Sequence, residues 1–201
     1  MDFIQVFFLV SMLSLDAFVI SISYGASKII IPKKSILVIN FVGSFILFIS
    51  LYFGFFLRNF ITNPDIFSSI ILFGLGASKI FDGTIKNLIK KNQIRKKIKF
   101  SIFSINFILT IYANPKEADI DESRYISPKE AIALGVVLAL DNLAAGIGAG
   151  LILNPINVAI LSFLIDPIFI FFGLKIGKKI SKIDFDLSFV SGIVFIILAL
   201  I

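Results

Sequence analysis

The stretch that most constrains this chain is Ala139–Gly150, ALDNLAAGIGAG, read beside its near copy Ser14–Gly25, SLDAFVISISYG. Laid over one another, both carry Leu-Asp, then Ile six residues after the acid and Gly nine after it. In each copy the acid, Asp16 or Asp141, sits near the middle of an apolar run long enough to cross a bilayer. A carboxylate at that depth costs roughly 2.5–3.5 kcal/mol on insertion scales, and acids that persist there are functional by default. Two of them in the same local setting read as an internally duplicated site.

Composition supports the membrane setting. The chain is 58% hydrophobic and 16% charged, against about 45–50% and about 25% in soluble domains. It is therefore read as an integral membrane protein. Cysteine and histidine are absent, which excludes disulfides and any site built on thiolate or imidazole ligands. No nucleotide-binding motif appears. No enzymatic activity, permanently bound cofactor or nucleic-acid partner is expected. The first apolar run has no basic flank or small-residue cleavage site ahead of it, so it reads as a retained helix rather than a signal peptide.

A span needs about 20 mostly apolar residues, and six stretches qualify: 4–25, 35–57, 66–85, 131–153, 156–176 and 186–201. All 19 basic residues except Arg58 and Lys79 fall in the first, third and fifth loops or at their borders. The positive-inside rule then makes those loops cytoplasmic and puts both termini outside. Three spans, a long loop, then three spans led by the same motif predict an all-α protein of six transmembrane helices in two inverted three-helix repeats. The repeats are 1–85 and 130–201, and residues 86–129 form the cytoplasmic loop. That loop is basic over 86–99, where it fits anionic lipid headgroups. Over 100–113 it is apolar but too short to span, either an amphipathic segment on the membrane or a strand. Beyond that it turns acidic.

Asp16, Asp141 and Asp166 fall near the centres of spans one, four and five. Lys79 and Asp82 in span three share a face and pair with one another, which leaves the three central acids without a cation from the membrane-spanning part. Either they are protonated or a cation joins them. Oxygen ligands without His or Cys suit Mn²⁺, Mg²⁺ or Ca²⁺. Asn142 and Asn40 are candidate carbonyl donors, each equally readable as an interhelical hydrogen bond. Asp141, Ala144, Ala145 and Gly148 share a helix face of small residues, favouring a cavity or close approach by another helix. In span five, Asp166-Pro167 breaks the helix ladder, which predicts a freed carbonyl at Asp166 or just before it. The plainer reading is a set of protonated acids that hold helices together.

A second constellation lies in the loop. Residues 119–130 match a calcium loop of the EF-hand type at Asp119, Asp121, Ser123, Ser127 and Glu130, with Tyr125 offering its backbone carbonyl. Against it, Arg124 stands where the sharp turn wants Gly. The plainer reading is a helix start, with Ser127 as N-cap, Pro128 at the first helical position and Glu130 completing a capping box. The two are compatible.

SLDAF, ALDNLAAGIG, FGLGASKIFDG and ADIDESRYIS together resemble the manganese-efflux pump (MntP) family of membrane proteins, the loop stretch being closer to its sporulation (YtaF) branch. The resemblance implies a LysE-like transporter of a bacterial cell membrane, in a spore former. It implies Mn²⁺ export with Asp16 and Asp141 essential. The expected function is thus a proton-coupled exporter of a divalent cation in contact with membrane lipid, alone or as a homodimer. Two other readings stay open. One is a sporulation protein that acts through its loop without transport. The other is an intramembrane aspartyl protease, whose chemistry also needs two central acids.

Overall fold

Backbone in hydrocarbon has no water to bond, so an apolar run of this length must satisfy its own N–H and C=O groups as a helix. The computed structural model, which describes residues 3–93 and 105–179, follows that rule. Its helices are α1 (Phe3–Ala26), α2 (Lys33–Leu57), α3 (Pro64–Gln93), α4 (Ile105–Ala113), α5 (Pro128–Gly150) and α6 (Pro155–Lys179). Four of them, α1, α2, α5 and α6, are long and apolar enough to cross a membrane. Proline opens the second helix of each pair, Pro32 as the N-cap of α2 and Pro155 as the first residue of α6. There its missing N–H costs no hydrogen bond.

Two readings are made more definite. The helix that holds the third span, 66–85, runs beyond it: α3 continues through Lys86, Lys90 and Lys91, because lysine is a good helix former. The apolar stretch left open between a surface segment and a strand is helical over Ile105–Ala113. It is also not simply laid on a membrane, since Ile111 is fully buried among Tyr24, Ile126 and Leu134. The sixth span, 186–201, and residues 94–104 lie outside the described residues.

The four long helices pack as two pairs. α1 lies along α6, and α2 lies along α5. Contacts advance together in each pair, from Ser14 with Asp166 to Ile22 with Gly177, and from Ile39 with Gly135 to Leu51 with Gly150. Partners therefore run parallel. The chain reverses at the short connections between α1 and α2 and between α5 and α6, so the two Leu-Asp helices, α1 and α5, point in opposite directions. The glycine nine residues after each acid does the same work in both copies. A Cβ on Gly25 would collide with the Leu174 carbonyl of α6, and one on Gly150 with the Leu51 carbonyl of α2. Gly150→Val is accordingly expected to cost on the order of 1–3 kcal/mol by overpacking, read as a lower melting temperature in detergent. An unchanged melting temperature would mean that the α2–α5 contact is looser than described.

One consequence is that Lys28, Lys33 and Lys34 share an end of the bundle with Lys175, Lys178 and Lys179. The acidic part of the loop docks at the same end. Tyr24 donates its hydroxyl to the Pro115 carbonyl, Ser35 to the Ile126 carbonyl at 2.7 Å, and a single parallel bridge joins Ile30 to Tyr125. A second apolar core, with Leu9, Leu47, Leu51 and Val158, fills the opposite half.

Candidate functional site

The centre of the bundle is organised by Pro167. A proline inside a helix cannot donate to the carbonyl four residues back, so of the carbonyls at Asp166 or just before it the one freed is that of Phe163. It is not left for a ligand. Asn40 of α2 reaches across and donates its Nδ2 to it at 3.0 Å. The bond repairs α6, which runs unbroken through Pro167, and fixes which way the Asn40 amide points. Asn40→Leu would leave that carbonyl unpaired away from water, at a cost of about 1–3 kcal/mol. Thermal unfolding of this variant is expected to show a loss, and wild-type stability would refute the bridge.

One turn along, Asp166 is held by two hydroxyls. Ser14 of α1 donates to Oδ1 at 2.5 Å and Ser162 of α6 donates to Oδ2 at 2.8 Å. Asp166, Asn40 and Asn142 line a small cavity together with Leu13, Ala17 and Gly43. All four long helices contribute to it. Its volume of about 20 Å³ is room for a single water or a bare ion. The offset that relates Asp16 to Asp141 also relates Leu13 to Leu138 and Ala17 to Asn142, and all four of these line the cavity. It therefore sits where the two copies meet.

Asp16 and Asp141 are half-buried and stand next to this cavity in sequence, beside Ala17 and Asn142, without lining it. The three span acids do not form a group with oxygens within 4.8 Å of one another. The small face beside Asp141 is used for close approach: Gly148 packs against Ile71 and Leu72 of α3. Lys79 and Asp82 belong to α3, and the expected pairing of their side chains lies outside the described residues.

The loop does gather its acids. Oxygens of Asp119, Asp121 and Glu130 come within 4.8 Å of one another. Arg124 takes the left-handed conformation a glycine would favour there, φ 60°, at a cost of about 1–2 kcal/mol. Its N–H then donates to Asp119 Oδ2 at 2.9 Å, which closes the turn. Partial burial, with Asp121 and Glu130 close by, pushes the Asp119 carboxyl above its ordinary range. The Ser123 hydroxyl and N–H hold Asp121 below it.

Glu130 is already engaged. Its Oε1 accepts from Ile120 N–H, and its Oε2 accepts from Ser127 N–H, both at 2.8 Å. The expected capping box is formed, so Ser127 serves the helix. Ser123 Oγ donates to the Tyr125 carbonyl. Of the six residues matched in the loop, Asp119, Asp121 and Glu130 are thus the ones brought together as acids.

Ser14, Ser162 and Gly43 escaped the reading of the sequence. Ser162 lies one turn before Asp166 on the same face, and that spacing is a usable signal. Ser14 and Gly43 have no such spacing, because they reach the cavity from other helices.

The fold and the placement of its acids define a polytopic α-helical membrane protein. The chain is 31% identical over 208 residues to a Bacillus subtilis (strain 168) protein described as probable sporulation protein YtaF, covering 100% of this chain and 99% of that one. It belongs to the YtaF family. No family model and no solved structure matches it. The match carries the sporulation branch of the resemblance and does not carry manganese efflux with it.

Proposed function

We propose that this protein is a secondary transporter that exports a small divalent cation, Mn²⁺ foremost, in exchange for protons. The observation that carries the reading is the juxtaposition of two copies of one motif. Two Leu-Asp helices run in opposite directions, and the helices around them converge on an internal cavity lined by Asp166, Asn40 and Asn142. Inverted repeats with a polar site at their junction near the membrane midplane are a transporter architecture, and acids at that depth mark ion paths. In this reading Asp16, Asp141, Asp166 and Asn142 supply the oxygen ligands along the path. Six spans complete the two repeats, and the basic end of the bundle faces the cytoplasm of the bacterial cell. Manganese over other hard cations rests on the family resemblance, since Mg²⁺ and Ca²⁺ also take oxygen ligands.

The test is flux into or out of proteoliposomes that hold the purified full chain, with Mn²⁺, Mg²⁺ and Ca²⁺ compared under an imposed proton gradient. Gradient-dependent movement of at least one ion is expected. Vesicles no leakier than protein-free controls for all three would overturn the reading.

A second reading is favoured by the docked loop and by the relative's printed description: a sporulation membrane protein that acts through residues 114–130. There Asp119, Asp121 and Glu130, helped by Ser123, Tyr125 and Ser127, form a regulatory divalent-cation site. Asp119→Asn combined with Asp121→Asn separates the two. If the loop is the working part, sporulation fails while flux persists.

A further inference from the structure

We propose that the docked part of the loop, residues 114–127, is a strap that ties the two helix pairs together at the basic end of the bundle. It keeps the central cavity closed on that side until it is released. The inference rests on the transport reading and adds to it the element that controls access to the site.

Each pair is built to move as one body. In the first, a Cβ on Gly25 or Gly177 would collide with the carbonyl of Leu174 or Ile22 across the pair. In the second, the same holds for Gly54 against Ile147 and for Gly150 against Leu51. Backbones this close leave no slack for sliding. The joint between the pairs is different. Where α2 faces α6, an apolar groove of about 340 Å³ opens between Phe41, Phe45 and Phe48 on one side and Ile160, Phe163 and Leu164 on the other. Shape changes concentrate where packed bodies meet, and alternating access is largely the rocking of one bundle against another around a fixed site.

The loop crosses this joint at the basic end. Tyr24, from the first pair, donates to the Pro115 carbonyl. Ser35, from the second, donates to the Ile126 carbonyl. Between them, Ile30 N–H donates to the Arg124 carbonyl at 2.8 Å, and Ile126 N–H donates to the Ile30 carbonyl at 3.0 Å. Behind these bonds Ile111, Ala118 and Ile126 are fully buried. They share one apolar core with Ile39 and Ile170, and Ala17 and Leu138 pack against it. Those last four residues also line the cavity. The loop thus completes the wall between the cavity and the basic end. At the opposite end, residues 58–63 and 151–154 are all that join the helices. The strap is also light enough to release, since residues 121–125 are exposed and segments with exposed backbone and few tertiary bonds open at low cost.

The chain has no cysteine, so introduced thiols report without background. Ile30 and Tyr125 face one another in the bridge and both are exposed. Ile30→Cys with Tyr125→Cys can therefore be oxidised to a disulfide that locks the strap without disturbing the core. In proteoliposomes the oxidised protein is expected to lose most of its Mn²⁺ flux and to regain it on reduction, with each single variant indifferent to oxidant. A second measurement needs no transport. Ala17→Cys puts a thiol on the cavity wall, and a membrane-impermeant thiol reagent, applied to vesicles that present the basic end, reads access to it. Tyr24→Phe with Ser35→Ala removes two bonds of the strap. Labelling of Ala17→Cys should then quicken about tenfold, the scale of one or two lost hydrogen bonds. A disulfide that does not form, a locked protein that carries Mn²⁺ at the wild-type rate, or labelling no faster in the released variant overturns the inference while transport stands. If wild type moves no ion, the transport reading falls, and labelling still decides whether the strap closes the cavity.

Discussion

Asp141→Asn is expected to reduce divalent-cation flux by on the order of 100-fold, the scale on which metal sites respond to altered ligands, and Asp16→Asn to do the same. The substitution keeps the shape of the side chain and removes its charge. A defect of packing alone would therefore be small, and a defect of ion handling large. The two acids stand at matching positions of oppositely directed helices, so their variants should fail alike. Both proteins should reach the membrane at wild-type levels, as immunoblots of membrane fractions will show. If one variant fails and the other transports normally, the duplicated motif does not act as a pair. If both transport normally, the ion path does not use these acids.

Glu130→Ala is the second large effect, and it concerns stability. Glu130 is 6% exposed and accepts from Ile120 N–H, Ser127 N–H and the Ser127 hydroxyl. Truncation leaves these donors without their charged acceptor and removes half of the capping box. Hydrogen bonds to charged groups contribute about 1.5–3 kcal/mol each, and a lost cap about 1 kcal/mol. Because these terms overlap, a total loss of about 3 kcal/mol is expected. The loop that Glu130 ties to α5 carries exposed Lys116 and Arg124, so trypsin should cut there faster in the variant. A melting temperature and a cleavage rate equal to wild type would show that Tyr24, Ile30 and Ser35 hold the loop without Glu130. Ser127→Ala is expected to show the same change at about 1 kcal/mol.

Hydropathy and local chemistry were legible without coordinates. Runs of apolar residues force helices in hydrocarbon, which located α1, α2, α5 and α6 within a few residues. The Ser127-Pro128-Glu130 signature marked the start of α5, because a cap is settled by neighbours in sequence. The repeated Leu-Asp motif gave the correspondence between α1 and α5, and with it the paired roles of Gly25 and Gly150. The positive φ of Arg124 was less legible: the position asked for glycine, and only the folded turn shows that arginine meets the demand.

Contacts between helices distant in sequence required the tertiary structure. Pro167 announces a freed carbonyl in any reading. That it belongs to Phe163 follows from the spacing of a helical turn, but that Asn40 takes it depends on how α2 crosses α6. Asp166 was visible as a central acid, whereas its serine partners were not, since Ser14 arrives from a helix at the other end of the chain. Asp16, Asp141 and Asp166 appeared in the sequence as one ligand set. In the fold, Asp166 lines the cavity with two asparagines, and Asp16 and Asp141 do not line it. Sequence thus determined which groups enter the membrane, because the energy of burying each side chain is local. The tertiary structure decided which of them meet, because side-chain geometry between parallel helix pairs is set by packing across the whole bundle.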